Sequence, residues 1–353
     1  MYYNNTMETP RAKFKTYLQA TAVEIEKELK KIEKELRKET TNDFGEIDKL
    51  KKRFSESWLG GKMLRGTLVK LGYELGYGKQ IKAIWKPAAA FEILHTALLV
   101  HDDIIDQSTT RRGKLAMHVH PNNHYGISQA ICLGDLGISL AGKLIAESDF
   151  PSKNKSQALA YFFEIVNQTI LGEMMDVASS QRFERTEKQI LEIHTMKTAN
   201  YTLIGPLTLG AILAGAKAEL LNKITLFAKP LGIAFQIQDD VMGVFGDEKV
   251  VGKSTTSDIE ENKSTLLISY ALEHANSQQK QLLNSYYGKK SVTKKELEIV
   301  KEIFRETGAL RYSENKIKNL LKKPKMILPQ MKIKEKEKNL LLDFIEMLVA
   351  REK

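Results

Sequence analysis

Three aspartates close an apolar stretch of the sequence, at positions 102, 103 and 106 of "LVHDDIID". Residues four apart share one face of an α-helix, so Asp102 and Asp106 are expected to project together, with Asp103 beside them. Carboxylates are costly to bury unless they pair with cations or bind a metal. The cluster therefore predicts either a cation site or a helix end that simply faces water. An EF-hand is excluded, because the glycine and the distal glutamate of that loop are missing.

A second pair of aspartates, Asp239 and Asp240, ends another apolar stretch, "KPLGIAFQIQDD". Two helices that each end in paired aspartates can face one cavity across a shared ligand. Mg²⁺ prefers hard oxygen ligands and binds substrate phosphates while keeping part of its water shell. Taken together, the two motifs favour a magnesium site that neutralises a diphosphate leaving group.

Basic residues accompany both acidic motifs. Arginine suits bidentate contacts with phosphate, and lysine acts as a point charge. Each basic element taken alone is typical of a protein surface, but their distribution around the two acidic motifs indicates anion binding. They are Lys62 and Arg65 in "GGKMLRG", Arg111 and Arg112 in "TTRRGK", Lys197 in "HTMKTANY", and Lys253 and Lys263 after the second motif.

The composition favours a globular helical protein. Of 353 residues, 42% are hydrophobic and 28% are charged, and the net charge is +10. Lysine and glutamate alternate at helical spacing near both termini, which is typical of solvated helix faces, so we expect no nucleic-acid partner. "GDEKVVGKS" is not a phosphate-binding loop, because Asp247 stands where its first glycine is required and no strand precedes it.

The elements that must position these residues all have a helical period, and no alternation of strands and helices is found. We expect one all-α domain over residues 1–353, with a motif-bearing core at about 55–270, a charged N-terminal helix and a C-terminal helical extension. Helices are predicted at 11–39, 64–77, 86–106, 128–147, 156–179, 187–215, 218–242, 264–274, 295–310 and 331–351. Loops are predicted at 41–60, 107–127, 148–155, 243–263 and 322–330.

The sequence also favours a cytoplasmic protein. The N-terminus has no apolar signal core. The single cysteine, Cys132, lies in an apolar context that predicts a packed core thiol. The apolar segment 201–216 is shorter than the roughly 20 residues that a membrane span needs and contains Pro206, so we expect a buried helix there.

At this point the sequence resembles the trans-isoprenyl diphosphate synthases, the family of farnesyl and geranylgeranyl diphosphate synthases. The matching elements follow the family's order over about residues 55–270. They are "GGKMLR", "HTALLVHDDIID", "RRGK", "LGD", "GEMMD", "KTANY", "FQIQDD" and "GKSTTSDIEENKSTL". The resemblance implies an all-helical bundle around a deep cavity, a homodimer, and head-to-tail prenyl transfer between isopentenyl diphosphate and an allylic diphosphate in isoprenoid biosynthesis.

The resemblance also implies roles for matching residues, with three Mg²⁺ ions expected when diphosphate is bound. Asp102, Asp106 and Asp239 would bind metal, with Asp103 and Asp240 in support. The second motif departs from the common DDxxD pattern, because its last position is Gly243; Asp247 would add a water-mediated contact. The allylic diphosphate would be bound by Arg111, Lys197, Thr198, Gln236, Lys253 and Lys263, and isopentenyl diphosphate by Lys62, Arg65, His95 and Arg112.

Product length depends, in this family, on residues before the first motif. Ala97 and Leu98 are not aromatic, unlike the residues that short farnesyl-type enzymes often place there, so a longer chain can pass. Phe91 and Leu94 are expected to form part of the cavity floor, although Phe91 packing in the bundle is an equal alternative. This favours a C20 product, with C15 and C25 as neighbours.

Three rival functions remain open from the sequence. They are a terpene cyclase, which would need no second diphosphate site, a non-catalytic subunit of a heteromeric synthase, and a basic protein that binds nucleic acid or membrane. A weak contact with a membrane surface for product release is also compatible with the lysine-rich termini.

Overall fold

The computed structural model describes residues 10–38, 44–181, 186–247 and 254–349, and it is almost entirely helical over those ranges. The helices of the first half are α1 (Pro10–Lys38), α2 (Gly45–Glu56), α3 (Leu64–Leu75), a 3₁₀ turn (Ile81–Ile84), α4 (Trp85–Ile105), α5 (Asn123–Ala146) and α6 (Ser152–Ser180). Those of the second half are α7 (Glu187–Ile193), a π-helix (His194–Ile204), α8 (Gly205–Leu213), α9 (Ala218–Phe245), α10 (Ser257–Glu260), α11 (Leu266–His274), α12 (Ser277–Tyr286), α13 (Lys294–Glu306), α14 (Ala309–Ile327), a 3₁₀ turn (Leu328–Gln330) and α15 (Glu335–Val349). The all-α prediction is confirmed.

The core is formed around the apolar helices that carry the motifs. One hydrophobic cluster joins α4 to α1, α5 and α6, and a second joins α9 to the π-helix, α8, α14 and α15. A third lies among α11, α12, α13 and the last turn of α9. Because both motif-bearing helices are buried along most of their length, their carboxylate ends are held in fixed positions.

The loop after α4 folds back as a β-hairpin. Strands β1 (Thr110–Arg111) and β2 (Lys114–Leu115) pair antiparallel, with Arg111 opposite Lys114. The two turn residues, Arg112 and Gly113, have φ of 52° and 73°. Positive φ at both turn positions matches the right-handed twist of a two-residue hairpin. The hairpin therefore projects from the end of the first acidic motif and carries both of its arginines.

Several predicted loops are helical instead. The range 41–60 contains α2, which buries Phe54, and 322–330 contains the last turn of α14, where the buried Pro324 lies inside the helix. The ranges 148–155 and 243–263 are shortened by the start of α6 and by α10, and α5 begins at Asn123 because Asn122 caps it. Tertiary packing outweighed the local breaker signals in these segments.

Cys132 is exposed on α5, so the prediction of a core thiol was wrong. Helix α5 is apolar over more of its circumference than it buries, and Ile131 is also exposed. Two helical segments of the described chain, Ile81–Ile105 and Asn123–Ala146, are long and apolar enough to span a membrane by length and composition alone. Most of the apolar window in the first of these is packed inside the protein, as expected of a core helix.

Candidate active site

A cavity of about 1710 Å³ lies between the two acidic motifs. Its walls come from the start of α3, the end of α4, the hairpin, α6, the π-helix, α9 and α14. It brings together most of the residues predicted from the sequence. These are Lys62, Arg65, His95, Leu98, Asp102, Arg111, Arg112, Lys197, Thr198, Gln236, Asp239, Asp240 and Lys263.

Other predicted residues are placed elsewhere. Asp103 is buried beside Arg111, and Asp106 caps the C-terminus of α4; neither is among the described residues that line the cavity. Phe91, Leu94 and Ala97 are buried deeper along α4. Lys253 lies outside the described residues.

The first acidic motif is held by cationic side chains. The Arg111 guanidinium spans two carboxylates: its Nε donates to Asp103 Oδ1 at 2.8 Å, and its Nη2 lies 3.3 Å from Asp102 Oδ2. Lys197 Nζ approaches the other Asp102 oxygen at 3.5 Å. Burial works against the charged form of Arg111, but Asp103 and Asp102 outweigh it and raise its pKa. Asp102, only partly buried, is therefore the motif's carboxylate that faces the cavity between two cations.

Lys197 is also bound by two acidic residues that the sequence argument gave no role. Its Nζ lies 2.8 Å from Glu173 Oε2 and 2.7 Å from Asp176 Oδ2, both on α6. Burial lowers the pKa of Lys197, but Asp176, Asp102 and Glu173 outweigh burial and raise it. "GEMMD" contained these two residues, yet it carried no signal that they would meet Lys197.

The approach of α6 to Lys197 depends on Gly172. A Cβ at that position would lie 2.3 Å from the Lys197 backbone nitrogen, so any larger residue would push α6 away from the π-helix. The π-helical segment His194–Ile204 places Lys197, Thr198 and Tyr201 on the cavity wall. Wide helical turns of this kind are rare and are frequently found at functional sites.

The second acidic motif is held by neutral side chains and a histidine. His194 Nε2 lies 3.1 Å from Asp240 Oδ2, and Gln236 Nε2 donates to Asp240 Oδ1 at 2.8 Å. Thr198 Oγ1 in turn donates to Gln236 Oε1 at 2.6 Å. Burial raises the pKa of Asp240, but His194, Lys263 and the Gln236 hydrogen bond outweigh it and hold that pKa below its usual value. Asp240 Oδ1 is thus hydrogen-bonded by Gln236 and Oδ2 lies beside the His194 imidazole, and both Asp239 and Asp240 line the cavity.

A separate group of basic residues lies beyond the first motif. Arg65 Nη2 donates to Tyr201 Oη at 3.0 Å and to Thr202 Oγ1 at 3.1 Å, and its guanidinium stacks over the Tyr201 ring. Lys62 is exposed in the loop before α3. Arg112 lies close to that loop: its Nη1 would be 3.7 Å from a Cβ atom built on Gly61. The loop before α3, the first turn of α3 and the hairpin therefore present three cationic side chains to the cavity.

His95 and Glu92 lie beneath this basic group. Burial, reinforced by Arg65 and Arg112, holds the pKa of His95 well below 6.5, so it is neutral at neutral pH. Glu92 accepts a hydrogen bond from the Gly66 backbone nitrogen at 2.7 Å. This bond satisfies one donor at the start of α3, whose N-cap Met63 has a left-handed backbone and gives no side-chain cap. Glu92 thereby fixes the turn that carries Arg65.

The apolar wall runs from Leu98 towards α6. Leu98 lines the cavity together with Leu99, Thr169 and Ile170. Ala97 packs against Gly137 of α5, where an added Cβ would lie 2.7 Å from the Ala97 Cβ. Phe91 packs edge-on against Phe162 with ring centroids 5.9 Å apart. The role of these residues in product length stays a prediction.

The residues fit divalent cations that are shared with a ligand. Among the described residues, no three His, Cys, Asp or Glu side chains converge into a self-contained metal site. Asp102 and Asp239 instead border one cavity from two different helices. Mg²⁺ commonly binds through one or two carboxylates together with substrate phosphates, which suits such a divided set of donors.

Comparison with known proteins agrees with this geometry. The family model for polyprenyl synthetase matches residues 47–306. A geranylgeranyl diphosphate synthase of Sulfolobus acidocaldarius is 35% identical over 240 residues, covering 67% of this chain and 71% of the relative. A geranylfarnesyl diphosphate synthase of Aeropyrum pernix is 33% identical over 294 residues, covering 81% and 90%. The crystal structure of a geranylgeranyl pyrophosphate synthetase from Pyrococcus horikoshii superposes with a TM-score of 0.81 at 27% identity, covering 96% of this chain and 98% of that one.

The family model spans most of the chain and includes both acidic motifs, the basic loops and "GEMMD". The two curated relatives extend the similarity over more than two thirds of their own lengths. The chain belongs to the polyprenyl synthetase family of prenyltransferases.

Proposed function

We propose that this protein condenses isopentenyl diphosphate with an allylic diphosphate and makes geranylgeranyl diphosphate, a C20 product. The observation that carries this proposal is one cavity that is lined by acidic motifs from two helices and by a second set of basic residues, Lys62, Arg65 and Arg112. A terpene cyclase ionises one diphosphate and needs no second basic site. Two sites for diphosphate favour a transferase.

The acidic motifs would bind the allylic diphosphate through Mg²⁺. Asp102, Asp106 and Asp239 are the proposed metal ligands, and three ions are expected with diphosphate bound. Bound Mg²⁺ would neutralise negative charge on the departing diphosphate. Arg111, Lys197 and Lys263 line the same cavity and add positive charge to it. Thr198 and Gln236 complete the proposed allylic site, with Lys253 a further candidate.

The basic group would hold the second substrate. Lys62, Arg65 and Arg112 are proposed to bind the diphosphate of isopentenyl diphosphate, because guanidinium groups match phosphate oxygens in pairs. Neutral His95 would donate one hydrogen bond without adding charge.

The reaction follows from these positions. The allylic C–O bond breaks, and pyrophosphate leaves with the bonding electrons. The isopentenyl double bond attacks the allylic cation to form the new C–C bond, and loss of a proton restores a double bond, with the departed pyrophosphate as the proposed base. Preorganised charges at the leaving group supply most of the rate enhancement. The apolar walls near Leu98 exclude water that would trap the cation as an alcohol.

The C20 product is supported by the apolar wall and by the relatives. Leu98 leaves the cavity wall open where an aromatic side chain would narrow it. The relatives include one named for a C20 product and one named for a C25 product. C15 and C25 remain the neighbouring possibilities.

Product analysis tests the proposal. The purified protein is incubated with Mg²⁺, isopentenyl diphosphate and each short allylic diphosphate, and the extracted products are separated by chain length. We expect a C20 diphosphate and one pyrophosphate released for each condensation. Release of pyrophosphate without isopentenyl diphosphate would support a cyclase, and no turnover with any substrate pair would support a non-catalytic subunit.

We also propose that the chain forms a homodimer through α5 and α6. These two helices pack together, and they expose Ile131, Phe163 and Leu171. Several large apolar side chains on one pair of helices indicate an interface. Light scattering on the purified protein would give twice the chain mass; a monomer would contradict the proposal. We also propose that the whole chain forms one domain and that the protein acts in the cytoplasm.

A further inference from the structure

The hairpin that carries Arg111 and Arg112 is too small to hold its shape alone. Each of its strands has two residues, and its turn places Arg112 in the left-handed region, with φ of 52°. An isolated two-stranded hairpin is at best marginally stable in water, and a left-handed backbone is unfavourable for a residue other than glycine. The positions of both arginines therefore depend on contacts between the hairpin and the rest of the protein.

One set of contacts holds Arg111 directly. Its guanidinium binds Asp103 and Asp102, both on the buried helix α4. Arg112 follows at the turn, where it lines the cavity close to Gly61. The carboxylates of α4 therefore fix Arg111, whereas the place of Arg112 depends on how the rest of the hairpin is held.

A second contact comes from α2. Arg53 Nη2 donates to the carbonyl oxygen of Leu115 at 2.7 Å and to that of Ala116 at 2.9 Å. Leu115 ends β2 and pairs with Thr110, and the Ala116 backbone nitrogen donates to the Thr109 carbonyl oxygen at 3.0 Å. One guanidinium thus binds the end of β2, and the strand pairing transmits that constraint to β1.

Helix α2 is a firm support for this contact. Phe54, the neighbour of Arg53, is fully buried, and its ring packs edge-on against Trp58 with centroids 5.4 Å apart. A Cβ on Gly137 of α5 would lie 2.8 Å from Phe54 Cζ, so α2 and α5 are closely packed there. The chain then runs from α2 into the loop that carries Lys62. Arg53 therefore ties the hairpin to the helix that leads into the other basic loop.

We propose that Arg53 is a positioning residue for the isopentenyl diphosphate site. It is not among the described residues that line the cavity, so its effect on a ligand is indirect. By binding β2, it holds Arg112 beside the loop of Lys62, so that both cations can meet one diphosphate. Hydrogen bonds from a guanidinium are stronger than those between neutral groups, which suits this anchoring role. The inference rests on the proposed function for its ligand.

Steady-state kinetics, with each substrate varied in turn, test the proposal. Arg53→Met keeps a long side chain on α2 but removes its donors. It is expected to raise KM for isopentenyl diphosphate about tenfold, because a small displacement of a substrate-binding group weakens its contact. KM for the allylic diphosphate and kcat should each change less than about threefold, since Arg111 keeps its own carboxylate partners. Arg53→Lys retains a charged donor and should recover most of the lost affinity.

A double-variant cycle separates positioning from a general structural role. In an Arg112→Met background, Arg53→Met should raise KM for isopentenyl diphosphate less than about twofold, because the group that it positions is already absent. The full increase in that background would contradict the proposal. Equal increases in the KM values of both substrates would also contradict it, because they would indicate a general distortion of the cavity.

The neighbouring lysine provides the matched control. Lys52→Met removes a cation from the same helix, but its side chain is 54% exposed, so both KM values should stay unchanged. If circular dichroism shows that Arg53→Met is unfolded, Arg53→Gln takes its place with the same expectations. Wild-type KM values in the folded variant would overturn this inference alone. Absence of turnover by the wild type with isopentenyl diphosphate would overturn the proposed function and this inference with it.

Discussion

The two acidic motifs end two buried helices at one cavity, but the protein holds them in different ways. Asp102 meets long, flexible cationic side chains, Arg111 and Lys197, that arrive from the hairpin and the π-helix. Asp240 instead lies between neutral Gln236, which hydrogen-bonds one of its oxygens, and His194, which lies beside the other. The first motif therefore has nearby cationic side chains that can bind a diphosphate. The side chains around the second motif are instead held in place before a ligand binds. Preorganised groups need little rearrangement when charge develops on a ligand.

Removal of the cavity-facing carboxylates should have the largest effect. Asp102→Ala and Asp239→Ala are each expected to lower kcat by about a thousandfold, because each removes a proposed metal ligand that acts on the leaving group. Steady-state release of pyrophosphate measures the effect. Asp135→Asn serves as a control, because its side chain is 68% exposed. Near-normal turnover of Asp102→Ala would remove the basis for the assignment.

The partners of the two motifs should differ in importance. Lys197→Gln is expected to lower kcat about a hundredfold, because it removes positive charge from the allylic site and leaves Glu173 and Asp176 without their shared cation. His194→Gln should cost about tenfold, because it only loosens Asp240. His274→Gln, an exposed histidine on α11, is the matched control. A larger loss from His194→Gln than from Lys197→Gln would reverse the proposed contrast between the motifs.

The length of the product tests the proposed role of the apolar residues of α4 that precede the first motif. Leu98→Phe is expected to shift the main product from C20 to C15, because the phenyl ring would fill the part of the cavity that the longer chain occupies. Phe91→Ala should yield longer products if Phe91 forms the floor. Chromatography of the dephosphorylated products measures both shifts. Phe344→Ala, a buried phenylalanine packed on Phe14, controls for general loss of stability. Unchanged products from Phe91→Ala would leave Phe91 with a packing role only.

Lowering the pH should change the contributions of Glu173 and Asp240 to folding stability in opposite ways. We expect this effect to be the smallest among these predictions. Burial raises the pKa of Glu173 above 4.5 despite Lys197, so its charged form destabilises the folded state at neutral pH. Glu173→Gln should therefore be more stable than wild type at pH 7, and the difference should shrink as the pH falls towards 4.5.

Asp240 provides the contrast. Its pKa is held below 3.8, so its charged form stabilises the fold above that pH, and the contribution is lost only as pH falls through the lowered value. Asp240→Asn should be less stable than wild type by a constant amount between pH 7 and pH 4. Chemical denaturation across this range measures both variants. Equal pH dependence of the two differences would contradict the contrast.

The sequence predicted the parts of the site that lie within single helices. The ends of α4 and α9 were evident, because their apolar runs stop at paired aspartates. The contacts of Lys197 with Glu173 and Asp176 were not, because they depend on the close packing of α6 against the π-helix at Gly172. The approach of the Asp258 carboxylate to Gly243 likewise joins segments 15 positions apart in the chain, and no local pattern predicts it.

The errors in the predicted fold have similar causes. The exposure of Cys132 depends on which face of α5 the rest of the bundle covers. Helix α12 was missed although its start carries a local signal, since Asn276 and Gln279 form a capping box. The loop predicted at 322–330 contains Pro324, which instead lies buried within α14.

The central claim is that both acidic motifs act on one diphosphate through shared metal ions. Mg²⁺-dependent binding of inorganic pyrophosphate to wild type, Asp102→Ala, Asp239→Ala and the double variant tests it most directly. We predict that each single variant binds at least about tenfold more weakly, and that the double variant is little weaker than the poorer single one, because either loss already breaks the shared site. Fully additive losses, or wild-type binding in either single variant, would contradict the account.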